Sequence, residues 1–474
     1  MRIHFETLGC KLNQIESESA ANSFFGEGFS ISAKPLTREA GIQEGVLLCI
    51  INTCTVTGKA EQKARRLINL LLDICPLCPV LVTGCYAELD AELIQSIHER
   101  IIVLPGTQKG QLTNIAPMLK KYASEAGLLQ GGNLDKEKAA SITDSLRKGI
   151  EELTKKDRQI QTVFNLSTDN FFQHSRSSIK IQDGCNNFCT YCRIRLARGK
   201  SVSLEPEIVI QRIKQLEQTG HREVIITGVN LSQYKSSYEN KTINIADLLA
   251  LLIDKTAHIS FRISSLYPER VDDELCAILK HERIRPHFHL SVQSGSDRIL
   301  KLMKRPYQAQ QVTEAVEQLR TIKKDAFIAC DIITGFPGET DEDFFKTHKM
   351  CRDLNFSWIH AFPFSARPGT EAFTMKPAVG AQTASKRVLL LTESAKEQKE
   401  AFVQSMTGKN LKAIVEKRQT LPLRAVTENF LHTELVIPEN VDPESIKGKE
   451  VIVRITEKSS LSNCEAKALY LGLI

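Results

Sequence analysis

Three cysteines, Cys185, Cys189 and Cys192, stand at spacings of four and three residues in the stretch DGCNNFCTYCRIRLARG (183–199). Closely spaced thiolates of this kind wrap three corners of a cubane iron-sulfur cluster, which leaves the fourth iron open to a ligand. A structural zinc site is the competing reading, but such a site takes four protein ligands. The nearest histidine upstream, His174, is eleven residues away. A second set is dispersed: Cys10 ends TLGC, Cys54 ends INTC and Cys85 ends VTGC, each just past a predicted strand. Ligands of open α/β sheets bind outside the carboxyl ends of the strands, so these three thiolates would meet at one site.

Other cysteines read differently. Cys49, inside VLLCIIN, fits the usual fate of a free cysteine as a small buried hydrophobe. Cys75 and Cys78 form a C-x-x-C in DICPLCP, a pattern that can be a redox or metal half-site, but Pro76 and Pro79 break the local structure and no second pair lies nearby, which weighs against a ligand role. Cys276, Cys330, Cys351 and Cys464 fall on predicted helices or strands and are expected in the core.

The elements that must position these residues follow from the apolar pattern. From Ile3 to about Lys120, runs such as IHFETL, VLLCIIN, VLVTG and IIVLPG alternate with helical stretches, which predicts an N-terminal open parallel α/β sheet domain over 1–121. Residues 122–177 change character and read as a linker carrying a solvated helix. Six strand-helix units then run from SIKIQ through EVIITGV, ISFRISS, PHFHLSV, FIACDIITG and SWIHAFPFS, predicting a partial (β/α)6 barrel over 178–404. Past Gly408 helices are expected to vanish, and five short strand-like runs over 405–474 predict a small OB-like β-barrel.

Composition sets outer bounds. The 474 residues are 42% apolar and 25% charged, ordinary globular material with room for several domains. Thirteen cysteines, an odd number, fit metal or thiol chemistry in a reducing compartment better than a disulfide framework. The start MRIHFETLGC has no signal-like pattern, and no run of eighteen apolar residues exists, so a cytoplasmic protein with no membrane partner is expected. The net charge of +6 permits a polyanionic partner without demanding one.

Eight motifs carry a family resemblance: TLGCKLNQIESE (7–18), INTCTVT (51–57), VTGCYAEL (82–89), IQDGCNNFCTYC (181–192), SVQSGSD (291–297), MKRPY (303–307), DIITGFPGET (331–340) and HAFPFSARPGT (360–370). Along nearly its whole length the chain resembles the radical S-adenosylmethionine (SAM) methylthiotransferases, most of all the branch that acts on threonylcarbamoyladenosine in tRNA. The resemblance implies a radical-SAM barrel and a terminal RNA-binding TRAM domain. It assigns Cys185, Cys189 and Cys192 to a 4Fe-4S cluster that chelates S-adenosyl-L-methionine, and Cys10, Cys54 and Cys85 to an auxiliary 4Fe-4S cluster that handles sulfur. Two SAM molecules per turnover are implied, one cleaved to the 5′-deoxyadenosyl radical and one donating methyl, with a reductant such as flavodoxin or ferredoxin and a sulfur source. Such chemistry belongs to a cofactor rather than to side chains.

The same likeness places Tyr191, Gly228, Val229, Asn230, Gln293, Ser294 and Gly335 near SAM; packing is the other reading for Tyr191, and turn-shaping for the GFPG of 335–338. For substrate, Lys180, Arg193, Arg195, Arg198 and Lys200 oppose Asp183 alone, a net of +4 beside the cysteine loop. Lys409, Lys412, Lys417, Arg418 and Arg424 oppose Glu416 and Glu428 at the start of the terminal barrel. Arg193, Arg195, Arg198, Arg367, Lys409 and Lys412 are therefore the expected substrate contacts, since a polyanion leaves local basic patches. Phe362 and Phe364 alternate on one strand and are expected on a single core face. Relatives usually follow the third cysteine with an apolar pair, a proline and an aromatic; here Arg193, Ile194, Arg195 and Leu196 stand instead. Two alternatives remain: a relative acting on isopentenyladenosine or on a ribosomal-protein aspartate, and a non-catalytic iron-sulfur or zinc RNA-binding protein.

Overall fold

The computed structural model describes residues 1–130, 132–156, 163–166, 176–417 and 422–474; His174 and Arg418 lie outside the described residues. The chain forms two compact units. The first is Met1–Gln173 with Asp183–Asn187 and Cys192–Ser201; the second is His174–Gln182, Phe188–Tyr191 and Val202–Ile474.

In the first unit, β1 (Arg2–Thr7), β2 (Ser30–Ser32), β3 (Val46–Thr53), β4 (Val80–Gly84) and β5 (Ile101–Val103) form one sheet in the order β2-β1-β3-β4-β5. Every pair is parallel. All eight residues of β3 are buried, as a central strand covered on both faces requires. Helix α1 (Lys11–Gly26) packs Ala20 and Phe24 on the face of Ile3, Phe5 and Ile50. Helix α2 (Gly58–Ile74) packs Ala64, Ile68 and Leu71 on the opposite face, against Ile51, Val80 and Val82. Thr57 starts α2 by accepting a hydrogen bond from the Ala60 N–H at 3.2 Å. Strand β2 escaped the sequence pattern because three residues are too few to show alternation.

The expected linker is corrected. After two short helices, α3 (Cys85–Leu89) and α4 (Ala91–Gln95), come α5 (Leu112–Glu125) and α6 (Lys136–Lys156). Ile142, Leu146 and Ile150 of α6 are buried in the same core as Phe24 and Leu119. Their spacing of four is the apolar stripe of an amphipathic helix, hidden in the sequence by charged residues between them. Each such side chain contributes about 1.5–3 kcal/mol by burial, so α6 is core of the first unit and not a solvated spacer.

The second unit contains β6 (Ser177–Asp183, whose last residue groups with the first unit), β7 (Val202–Ser203), β8 (Glu223–Gly228), an antiparallel hairpin of β9 (Ser236–Tyr238) and β10 (Lys241–Ile243), β11 (Ser260–Ile263), β12 (Ser265–Leu266), β13 (His287–Gln293), β14 (Phe327–Thr334) and β15 (Trp358–Pro363). All six expected strands are present, but as two four-stranded sheets, β11-β8-β6-β7 and β12-β13-β14-β15. The division falls inside ISFRISS: β11 pairs with β8, β12 pairs with β13, and Ser264 between them donates its N–H to Ile226 O at 3.0 Å.

The carboxyl-terminal strands β16 (Asn410–Val415), β17 (Arg424–Thr427), β18 (His432–Val436), β19 (Glu450–Lys458) and β20 (Ala466–Leu473) close a barrel in the order β16-β17-β18-β20-β19. One helical turn, Pro443–Ile446, interrupts it where no helix was expected; Asp442 caps it through the Glu444 N–H. Cys464 lies in the turn before β20, not on an element, although it is buried as expected. Among the described residues no helix is long and apolar enough to cross a membrane.

A buried ion cluster fastens this barrel to the first of the two sheets. Glu223 at the start of β8 accepts from Arg262 at 2.8 and 2.9 Å and from Arg285 at 3.0 Å. Arg285 also pairs with Glu450 of β19, and Arg262 donates to Glu428 O at 3.1 Å and Thr427 O at 3.2 Å. Burial works against the Glu223 charge, yet Arg262 and Arg285 hold its carboxyl down to about 2. Its contribution is thus complete above the unfolded value of 4.5 and is lost as pH falls toward 2. Glu223→Gln is expected to destabilise the protein by about 3–5 kcal/mol at neutral pH and to flatten acid unfolding in this range, measured by denaturant titration at several pH values.

Candidate active site

In the first unit, Cys54 and Cys85 directly follow β3 and β4, and Cys10 precedes α1. The backbone before two of these cysteines presses on the end of β3. A Cβ on Gly9 (φ +102°) would lie 2.5 Å from Cys54 Cβ and 2.8 Å from its Sγ. One on Gly84 (φ +97°) would lie 2.3 Å from Thr53 O. Only glycine fits such approaches. Asn13 ties the strand ends together, its Nδ2 donating to Leu8 O at 2.8 Å and Thr53 O at 3.0 Å. Cys54 and Cys85 are buried and Cys10 is exposed, so the set faces solvent on one side.

Burial drives the Cys54 thiol up to about 11; the Val56 N–H opposes this, and the neighbouring Cys10 and Cys85 thiols reinforce it. Arg198 supplies the countercharge. Its guanidinium donates to Cys85 Sγ at 3.3 Å, to both Asp183 oxygens at 2.9 Å, to Glu16 Oε1 at 3.3 Å and to Asn13 Oδ1 at 2.8 Å. Burial works against this charge, but Asp183, Cys85 and Glu16 raise its pKa further. Glu16 is itself buried and also meets Lys109 at 2.6 Å.

This placement corrects the expected substrate rim. Arg198 lies with its side chain only 4% exposed, and Arg193 is ion-paired with Glu61 at 3.0 Å and Asp90 at 3.3 Å, its side chain 8% exposed. Guanidinium groups committed to buried carboxylates are not offered to a polyanion. Arg195, half-buried and donating to Asn186 O at 3.3 Å, and exposed Lys200 are the outward basic residues of that segment.

Cys185, Cys189 and Cys192 lie on the loop between β6 and helix α7 (Ile194–Arg198). Each sulfur has its own donor. Cys185 Sγ accepts from the Asn187 N–H at 3.4 Å, and Cys192 Sγ from the Ile194 N–H at 3.5 Å. Cys189 Sγ accepts from Arg305 Nη1 at 3.3 Å. Arg305, in the second unit with Cys189, was not singled out from the sequence although MKRPY contains it. Its guanidinium lies 4.4 Å from the Tyr267 ring centroid and 4.9 Å from that of Tyr307, and donates to Ser291 O at 3.0 Å. Nothing in residue type distinguished this arginine from its neighbours; only the fold brings it to a sulfur.

The expected SAM-facing residues lie near the carboxyl ends of parallel strands: Gly228 closes β8, with Val229 and Asn230 after it, Gln293 closes β13 with Ser294 next, and Gly335 follows β14. Gln293 holds φ +68°, an uncommon conformation for a side-chain-bearing residue that clusters at functional sites. Asn230 and Ser294 are engaged internally: Asn230 accepts from the Ser232 N–H at 3.1 Å, and Ser294 Oγ lies 3.2 Å from Thr347 Oγ1. Tyr191 packs edge-on against Phe336 at 6.4 Å. Phe362 and Phe364 do not share a core face; Phe364 packs on Phe336 whereas Phe362, at the end of β15, is 44% exposed. Arg367 is buried; Lys409 pairs with Asp325 at 2.7 Å, and the Lys412 N–H donates to Glu428 Oε1 at 3.1 Å. Cys49, expected as plain core, stands with Cys75 and Cys78 in one buried thiol group, so that C-x-x-C is not isolated.

Both sets of three fit thiolate-bound iron-sulfur groups. Their donors are all sulfur, the sulfurs accept N–H bonds of the kind that tune cluster potential, and Gly9 and Gly84 keep the N-terminal cradle clear of side chains. When bound, such groups supply one-electron chemistry and an open iron. Arg198→Ala is expected to cost about 3–5 kcal/mol and to lower iron retention, because it removes the guanidinium that donates to both Asp183 oxygens and to Cys85 Sγ, while Glu16 keeps Lys109. Arg195→Ala should leave the thermal midpoint and iron content unchanged. Normal stability in Arg198→Ala, combined with weakened RNA binding, would return that residue to the rim.

Two family models match the chain: the radical SAM superfamily over residues 179–351, and the uncharacterized protein family UPF0004 over residues 2–105. The chain is 41% identical to the threonylcarbamoyladenosine tRNA methylthiotransferase MtaB of Treponema pallidum, covering 97% of this chain and 99% of that protein. It is 33% identical to the protein of the same name from Aquifex aeolicus, covering 91% and 96%. Among solved structures, the radical SAM methyltransferase TsrM from Kitasatospora setae superposes with a TM-score of 0.50 at 13% identity, covering 78% of this chain and 77% of that one, a likeness of fold alone. The reading as a non-catalytic binding protein falls with these matches. The radical SAM match brings with it a 4Fe-4S cluster and SAM, and the chain belongs to the MtaB family of radical SAM methylthiotransferases, enzymes that transfer sulfur-containing groups.

Proposed function

We propose that the protein installs a methylthio group at C2 of N6-threonylcarbamoyladenosine next to the anticodon of tRNA, with two 4Fe-4S clusters. The observation that carries this reading is the presence of two separate three-sulfur sets, one on the loop after β6 and one at the strand ends of the first unit. The loop set, Cys185, Cys189 and Cys192, would hold the cluster that binds SAM, with Tyr191, Gly228, Val229, Asn230, Gln293, Ser294 and Gly335 around the cofactor. Cys10, Cys54 and Cys85 would hold the auxiliary cluster. Arg305 would keep the Cys189 sulfur oriented and partly neutralised, and Arg198 would do the same for Cys85.

RNA would meet Arg195, Lys200, Lys409 and Lys412, with exposed Phe362 offering a ring on which a splayed base stacks. Arg367, being buried, would act on substrate only from within a pocket. An electron donor such as flavodoxin or ferredoxin and a sulfur donor would complete the cycle, in the cytoplasm.

Anaerobic reconstitution is expected to yield about eight irons per chain, four for each cluster. Cys189→Ala should retain about half of the iron and abolish formation of 5′-deoxyadenosine. Cys54→Ala should still cleave SAM but yield no methylthio product. Nucleoside analysis of tRNA from cells with and without the gene should show loss of methylthio-threonylcarbamoyladenosine; loss of the isopentenyl counterpart instead would reassign the substrate.

A further inference from the structure

We propose that Cys49, Cys75 and Cys78 form a third metal site, apart from both cluster sets, that takes a single Cu+ ion, a soft d10 cation that three thiolates satisfy without a fourth ligand. Their sulfurs all lie within 4.8 Å of one another, and Cys49 and Cys78 are 3.5 Å apart. An ion bound at a metal–sulfur distance of about 2.3 Å brings its thiolates to within about 4 Å of each other, so this spacing fits one ion. The group includes no carboxylate, which disfavours hard cations such as Mg2+ and Ca2+.

The three come from different elements of the first unit. Cys49 lies mid-β3, Cys75 terminates α2, and Cys78 stands two residues before β4. Cys49 precedes Cys54 by five residues along β3, roughly 16 Å at 3.3 Å per residue, so the site is distinct from the strand-end cradle. All three are almost completely buried. Arg100 holds the CPLC loop from outside, its Nη1 donating to Cys75 O at 2.7 Å and Cys78 O at 2.9 Å and its Nη2 to Leu72 O at 2.7 Å. Such support presets ligand positions before an ion arrives.

Hydrogen bonds from Cys49 and Cys78 pull the Cys75 thiol down, and His4 and Arg2 assist, while Cys49 is pushed up by its thiol neighbours and by burial. Binding forms three metal–sulfur bonds and releases to solvent the protons that the thiols carry. The positive charges of Arg2 and Arg100 nearby offset the excess anion. A cleft of about 770 Å³ lined by residues including Arg2, Val46, Cys75, Leu77 and Cys78 gives the ion a path in.

The test uses full-length protein with its iron-sulfur groups reconstituted anaerobically. It is titrated with Cu+ against a Cu+-specific chelator, and with Zn2+ against a chromophoric one for comparison. One further equivalent of Cu+ should bind, at least tenfold more weakly in Cys75→Ala and Cys49→Ala, with iron content and SAM cleavage unchanged. X-ray absorption at the copper edge in the wild-type protein should show three sulfurs, a readout independent of whether the variants fold. No extra equivalent of Cu+, an extra equivalent of Zn2+ bound in its place, binding that survives both substitutions, a nitrogen or oxygen shell, or a Cys49–Cys78 disulfide in anaerobically prepared protein would overturn the proposal.

Discussion

The first unit depends on one buried cation. The Arg198 guanidinium lies among Asp183, Glu16, Asn13 and the Cys85 sulfur, and it is the shared partner of them all. A buried carboxylate without a cation costs several kcal/mol, and Arg198 lowers that cost for Asp183 and, together with Lys109, for Glu16. Its geometry in turn sets residues 183–187 and 192–201 against the ends of β3 and β4, where Cys54 and Cys85 stand. The same charge opposes the burial that pushes the Cys54 thiol up.

Arginine serves sulfur in the second unit as well. Arg305, boxed by the rings of Tyr267 and Tyr307, turns one N–H on Cys189. A planar guanidinium suits this work because it stacks on aromatics while still directing its N–H groups in the plane. Several of the basic residues that give the chain its mild positive balance are therefore internal countercharges. The polyanion-facing charge near the cysteine loop is correspondingly smaller than the raw count of +4 suggests.

The parallel sheet of the first unit offers sulfur at two places along β3. At the carboxyl end, turns bring Cys54 and Cys85 together beside Cys10 with room kept by Gly9 and Gly84. Midway along β3, the chain entering β4 brings Cys75 and Cys78 against Cys49. The first arrangement is open on the Cys10 side and the second is enclosed.

The sequence alone determined most of the elements and the two outlying sets of three cysteines. Period-2 and unbroken apolar runs marked the main strands, the terminal run of short strands marked the barrel, and the spacing 185-189-192 with three strand-end cysteines marked the sulfur sites. These signals are local, so one chain suffices to read them. Where α6 packs, how ISFRISS divides between two sheets, which arginines turn inward and which cysteine joins Cys75 and Cys78 were decided only in three dimensions. Each depends on residues far apart in sequence, such as Arg198 with Glu16 or Cys49 with Cys78, and no local pattern encodes a partner that the fold alone brings within bonding distance.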